Sequence, residues 1–531
     1  MKKKPHTQKV KTFNIRRKVS FPYSEVVKIK TETNGLGVLK ALVVFGIIAF
    51  QLLVFVVLHS AFMLSYKWTA LGTFILSLIT CIYVLSSNKN SHSKAVWIIF
   101  LLLFFPFAYI FYIMNDERVI MFFSRKRFKH AFENTKNLKK KQPIKFTNKK
   151  FKNDCEYLFN AGGFDTYAHT KCKYFCSGNA FFDDLLQRLK EAKEFIFIEF
   201  FIISDGVLLN RTLDILSERA KAGVKIRIIF DDMGSHKTLS RKNKKRIKNM
   251  GIELCPFNKI LPFFTLTLNY RDHRKIVVID GKTAYTGGCN LADESINEKR
   301  MHGYWKDNGI RLDGRAVDGL CITFLRQWEV LRKKKEDYSL FLNKADDFES
   351  DYAVVPYADG LEYSASICKG AYENMIAGAD EFIYIMTPYF IVDDTFSNLL
   401  ISKAMSGVDV RIVIPEVPDK VFVYGVTRNN VEKLISYGVK VYCMKCAFVH
   451  SKVLLTENSA VVGSINMDLR SFYQQFECAV YLNDKGVMKE IEKDFIKTFE
   501  DSALITEKNK LRNHIVYRAV AGVMQIFAPF M

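Results

Sequence analysis

Three long apolar runs mark the front of the chain, Ala41–Tyr66, Trp68–Asn88 and Ala95–Asn115, and none holds an Asp, Glu, Lys or Arg. A helix crosses the bilayer hydrocarbon with about 20 apolar residues, so each run predicts a membrane-spanning helix. The runs lie in a transmembrane region at 38–116, behind a basic tail at 1–37 that carries ten Lys or Arg. That tail is too long, and lacks the small-residue pattern after it, for the first run to be a cleaved signal. From about residue 155 the pattern changes. Phe195–Asp232 and Phe382–Pro415 each read as a buried strand, an amphipathic helix, a glycine turn (Gly223, Gly407) and a second buried strand, the signature of a βαβ unit. Such a repeat predicts an α/β fold with two duplicated domains in pseudo-twofold arrangement. The boundaries are 155–335 and 352–531, with a polar linker at 336–351. The closing segment from Leu511 is apolar with Arg512, His514 and Arg518, which reads equally as a helix lying on a bilayer or as core packing.

Charge narrows the partners. The net formal charge is +23, from 78 basic and 55 acidic residues, which calls for a polyanionic partner. The aromatic share of 14%, with 45 Phe, fits a membrane protein better than a nucleic-acid binder, so no nucleic acid is expected. Thirteen Lys or Arg fall between Arg118 and Lys152, inside a polybasic linker at 117–154. Beside a membrane, such charges attract anionic head groups at roughly 1 kcal/mol each; a solvated linker is the alternative. The expected location is the cell membrane, multi-pass. Three spans put the catalytic part opposite the basic tail, whereas the polybasic linker resists translocation, so its side stays open. The eleven cysteines show no disulfide framework, and neither Cys172/Cys176 nor Cys443/Cys446 repeats as a zinc pattern. No metal or other cofactor is expected.

The chemistry concentrates in two stretches. Tyr270–Asn290 holds His273, Lys275, Asp280, Gly287, Gly288 and Asn290, and Phe448–Asn466 holds His450, Lys452, Glu457, Gly463, Ser464 and Asn466. On a strand, residues two apart share a face, so each histidine points with its lysine toward one phosphate. Asp280 closes the first motif at a hairpin turn, and its parity turns it to the other face, toward a structural or outer role. The following glycines let the backbone approach and bring the Asn close. In the second motif Glu457 stands where the first has Asp280, and five residues rather than six separate it from Gly463. Both changes fall at the turn, remote from the phosphate, so activity is expected to survive, though a shifted Asn466 would weaken phosphate binding.

The doubled HxKxxxx(D/E)–G(G/S)xN pattern resembles the phospholipase D superfamily. With FIFIEFF, DDMGS, GYWKD, TPYF and NMDLRSF, it is similar to bacterial cardiolipin synthases over about residues 68–531. That resemblance implies a phosphohistidine on His273, acid–base work by His450, and Lys275, Lys452, Asp280 and Glu457 as further motif positions. It also implies phosphate binding by Asn290, Ser464 and Asn466, and orientation of the histidines by Asp307 and Glu477. The implied reaction joins two phosphatidylglycerol molecules into cardiolipin and glycerol at an anionic phospholipid bilayer. Hydrolysis by a membrane-bound phospholipase D is the rival, followed by a membrane-anchored nuclease and an inactive lipid-binding relative.

Overall fold

The computed structural model describes residues 66–87, 91–104, 108–109, 112, 122–136, 138, 144, 148–259, 270–363, 365–526 and 528. The first apolar run lies outside them. The second forms helix α1 (Tyr66–Leu85), and the third begins in α2 (Ser91–Phe104). Among the described residues no helix is long and apolar enough to cross a membrane, so the expected spans do not appear as such. Cys81 and Val84 of α1 pack with Trp97 and Leu101 of α2. The outer side of α1 exposes Trp68, Phe74, Ile79 and Ile82.

Two helices form within the polybasic stretch, α3 (Phe122–Lys136) and α4 (Lys149–Gly162). Phe128, Ala131 and Thr135 are buried along α3, three and four residues apart and hence on one face. Arg326 donates from Nε to the Thr135 hydroxyl at 2.8 Å, which ties α3 to the catalytic part.

The first sheet uses β1 (Thr170–Phe175), β2 (Phe195–Phe200), β3 (Lys225–Asp231), β4 (Glu253–Phe257), β5 (Lys275–Ile279), β6 (Thr283–Gly287) and β8 (Gly309–Gly314); β7 (Tyr304–Lys306) stands apart. The second uses β9 (Val354–Asp359), β10 (Phe382–Met386), β12 (Asp409–Pro415), β13 (Lys440–Met444), β15 (Val453–Thr456), β16 (Ala460–Gly463), β18 (Glu477–Leu482) and β19 (Ser502–Ile505), with β11 (Phe390–Ile391), β14 (Ala447–Val449) and β17 (Met467–Asp468) outside it. Their orders are β4-β3-β2-β5-β6-β8-β1 and β19-β13-β12-β10-β15-β16-β18-β9. With β19 removed, the second repeats the first strand for strand. Strand directions agree as well: β2 runs parallel to β3 and antiparallel to β5, as β10 does to β12 and β15.

Alternation along β2 shows how each sheet is covered. Ile196, Ile198 and Phe200 face a core closed by helices Gly178–Glu191 and Val207–Lys221. Phe195 and Phe197 join a second core that runs on into Ile385, Val461 and Val480 of the other sheet. The two lobes share this core and fall within one compact unit, residues 73–531. The stretch after 336 is not merely solvated, since Tyr338, Phe341 and Leu342 are buried in it.

Candidate active site

Each motif histidine stands just before a central strand of its sheet, where the chain leaves one lobe to meet the other. The His273 backbone N–H donates to the Phe476 carbonyl at 2.9 Å, and the His450 N–H donates to the Lys306 carbonyl at 2.7 Å. Phe476 and Lys306 immediately precede Glu477 and Asp307. These backbone bonds therefore deliver each carboxylate to the histidine of the opposite lobe. His273 Nδ1 lies 3.0 and 3.1 Å from the Glu477 oxygens, and His450 Nδ1 lies 2.7 Å from Asp307 Oδ2. With Nδ1 engaged, Nε2 is left for substrate on both rings.

The lysines are buried with the histidines. Lys275 Nζ donates to the His273 carbonyl at 2.6 Å, and Lys452 Nζ donates to the His450 carbonyl. Burial drives the electrostatics. It pushes His273 well below its usual range, helped by the positive charges of Lys275, Lys452, His450 and Arg470. It lowers His450 to about 4, with Lys452 adding and Asp307 opposing. Burial also brings Lys275 down to about 8 and Lys452 to about 7. The site is thus a buried cluster of basic groups pushed toward their neutral forms by burial first and by one another second, the setting an anion relieves.

Its two halves are not identical. For Asp307, burial is overcome by His450, Lys452 and the Asn308 backbone N–H, which hold the carboxyl below its ordinary range. For Glu477 burial wins and raises it to about 8 against Lys275 and the Ser464 and Ser471 hydroxyls. Asn290 Oδ1 accepts from the Ile202 N–H at 3.3 Å.

Three of the candidate site positions face other groups: Ser464 contrary to expectation, and Asp280 and Glu457 in the turns. Ser464 donates to Glu477 and accepts the Cys478 N–H at 3.0 Å, so it serves the carboxylate rather than offering a free donor to phosphate. Asp280 accepts the backbone N–H groups of Lys193, Glu194 and Phe195 at 2.7, 2.7 and 2.8 Å. Five strand positions at roughly 3.3 Å each put it about 16 Å from Lys275. Glu457 does the matching job with fewer bonds, taking the Asp380 N–H at 2.8 Å. Neither of these acids is brought to the histidines.

The shortened second motif is absorbed in its turn. Asp280 and Gly281 hold φ of 53° and 65° in a three-residue connection between Ile279 and Thr283. The second hairpin closes from Thr456 to Ser459 over Glu457 and Asn458 alone. Beyond the turn, Val453 faces Val462 as Ile276 faces Thr286, so the strand register leading to Asn466 is kept, while the Asn466 side chain bonds to Asp468.

Sequence reasoning missed several walls of the site. The Trp305 ring lies tilted 4.9 Å from that of His450 and donates from Nε1 to Asp307 at 3.2 Å. Phe201 lies 5.0 Å from His273. Ser471 donates to Glu477 at 2.7 Å. Trp305 lies two residues before Asp307, close enough to have been included on that ground alone. All eleven cysteines are free.

Comparison with known proteins agrees with this geometry. Residues 185–304 and 372–499 match the family described as "Cardiolipin synthase, PLD-like domain". A cardiolipin synthase of Alkalihalophilus pseudofirmus is 31% identical over 92% of this chain and 99% of its own length. A cardiolipin synthase 2 of Bacillus anthracis is 32% identical over 86% of this chain and 90% of its own. An uncharacterized protein of Streptococcus mutans is 33% identical over 85% and 99%. Among solved structures, phosphatidylserine synthase of Haemophilus influenzae superposes with a TM-score of 0.55 over 72% of this chain and 98% of its own, at 13% identity, a likeness of fold.

Proposed function

Because the chain belongs to the cardiolipin synthase family of phospholipase D-like proteins and is a phosphatidyltransferase, we propose that it joins two phosphatidylglycerol molecules into cardiolipin and glycerol. The observation that carries this reading is the pair of crossed His–carboxylate contacts, His273 with Glu477 and His450 with Asp307, in a buried site that also holds Lys275 and Lys452. Two imidazoles with free Nε2 atoms can work on opposite sides of one phosphorus, while two ammonium groups take the charge of its non-bridging oxygens.

In the first step His273 Nε2 attacks phosphorus, a P–N bond forms and the P–O bond to the leaving glycerol breaks. His450 gives that oxygen its proton. The primary hydroxyl of a second phosphatidylglycerol then loses its proton to His450 and attacks phosphorus, breaking the P–N bond. No net proton is consumed. The anionic diester supplies the charge that restores protons to the site. A second reading exchanges the two histidines. It is favoured by the ionised Asp307 behind His450 and by the Glu477 carboxyl raised to about 8, which suit a nucleophile and a proton donor respectively.

Membrane location belongs to the same proposal. The apolar outer side of α1, from Trp68 to Ile82, suits burial in lipid, and the substrates reside there. Purified full-length protein given labelled phosphatidylglycerol should yield cardiolipin and glycerol. Phosphatidic acid in place of cardiolipin assigns hydrolysis instead, and DNA cleavage without any lipid product assigns a nuclease. Phosphorus label trapped by an alkaline quench, which spares the P–N bond, should sit on His273, and appear on His450 under the exchanged assignment.

A further inference from the structure

The Arg470 side chain makes no direct ion pair among the described residues, although the Asp468 and Asp231 carboxylates lie near enough to act on its charge. It lies on the short helix Leu469–Tyr473 directly after β17. Its Nε is enclosed and has no hydrogen-bond partner among the described residues. The side chain is otherwise only partly buried, and an enclosed guanidinium N–H without an acceptor is costly, a cost that an arriving anion relieves. The carboxylates whose charge it feels are Asp468 and Asp231, followed by the phenol of Tyr389. Both carboxylates are engaged elsewhere. Asp468 accepts the Ser471 N–H at 2.8 Å. Asp231 accepts the N–H groups of Met233 and Gly234 at 2.9 Å and of Asp272 at 3.0 Å, and it faces Arg271 at 3.6 Å.

Its place relative to the chemistry is fixed by the next residue. Ser471 donates to Glu477, the carboxylate behind His273, so Arg470 belongs to the wall of the same site. The pseudo-twofold gives it no twin: counting from Asn466 and Asn290, the matching position of the first lobe is Glu294, which pairs with Lys299 at 2.7 Å. The two-fold set of histidines and lysines accounts for one phosphate. A cation present in one half alone requires a ligand that breaks the symmetry.

Resting on the transfer reading above, the geometry points to Arg470 as the binding residue for a second phosphodiester, that of the acceptor phosphatidylglycerol, which is not itself attacked. The chemistry demands such a group. The acceptor attacks with its terminal glycerol hydroxyl, and only a three-carbon unit separates that oxygen from its own phosphate. The acceptor's negative charge must therefore enter beside the reacting diester, whose charge repels it unless a separate cation is present. A planar guanidinium takes two phosphate oxygens at once.

The test compares two reactions of the full-length protein in mixed micelles. One is cardiolipin formation from phosphatidylglycerol. The other is exchange of labelled free glycerol into phosphatidylglycerol, which uses the same donor but an acceptor without phosphate. Arg470→Gln should lower cardiolipin formation relative to glycerol exchange by about tenfold or more, the loss expected of a charged hydrogen bond. Arg470→Lys should recover part of that ratio, and the deficit should appear in the concentration dependence on phosphatidylglycerol as acceptor. An unchanged ratio, whether both reactions persist or both fall together, overturns the assignment. Failure of the underlying function is seen separately, in wild-type protein that forms no cardiolipin at all.

Discussion

At the scale of single residues, the two histidine environments differ more than the paired motifs suggest. Gly288 and Ser464 occupy equivalent places, yet a Cβ on Gly288 would meet Asp307 Oδ1 at 2.1 Å, whereas Ser464 uses its hydroxyl to hold Glu477. Ser464→Ala should therefore reduce kcat by about tenfold, the worth of a hydrogen bond to a charged group, while leaving KM nearly unchanged. A rise in KM alone would return Ser464 to the phosphate. Gly288→Ser, though it copies the other half, should abolish turnover through the clash with Asp307. Charge sets the pH response. Burial brings Lys452 to about 7 and Lys275 to about 8, and a lysine binds an anion only below its own pKa. Binding of phosphatidylglycerol should thus weaken as pH rises from 7 through 8, and an initial-rate series at fixed ionic strength reads this as an increase in KM. In Lys452→Gln the lower part of that dependence should vanish and the part near 8 remain.

At the scale of elements, the hairpins explain why the signature reaches beyond the reacting groups. Asp280 anchors three successive N–H groups at the start of β2, so the strand pair carrying Lys275 is registered against its neighbour by one carboxylate. Asp280→Ala should cost about 3 kcal/mol of stability, since the buried N–H groups lose a charged acceptor. Thermal unfolding would show a lower midpoint, and protein that remains folded should keep its kcat. Glu457→Ala, with one backbone N–H at stake, should cost less. The βαβ repeat, the paired sheets and the His–Lys faces were all legible in the chain, because strand alternation and turn residues act locally. The parity of the first motif also foretold that Asp280 turns away from the phosphate. What one sequence did not reveal was the compensation in the second turn, because the register beyond Glu457 depends on β18 and β10 as well as on the hairpin. Nor did it reveal that α3 folds against Arg326: its basic residues masked the small buried stripe of Phe128, Ala131 and Thr135.

At the scale of the whole molecule, neither lobe holds a complete catalytic pair. The sequence order places Asp307 after the first motif and Glu477 after the second, and nearness along the chain suggests that each serves its own histidine. The fold crosses them, because parallel pairing of β7 with β14 and the bridge of Asp272 to Phe476 exchange short segments between lobes. Such a site survives only while the shared core keeps the sheets in one orientation. Its two carboxylate contacts are then sensitive reporters of that orientation. A double-mutant cycle tests this directly. His450→Ala should reduce kcat/KM by about three orders of magnitude, as expected for loss of an acid–base group. Adding Asp307→Ala should reduce it little further, since the carboxylate acts through the ring already removed. Combining His450→Ala with Glu477→Ala should give a further loss instead, because that carboxylate serves His273. If the near-neutral partner of His450→Ala proved to be Glu477→Ala, the crossed arrangement would be wrong and each lobe would orient its own histidine.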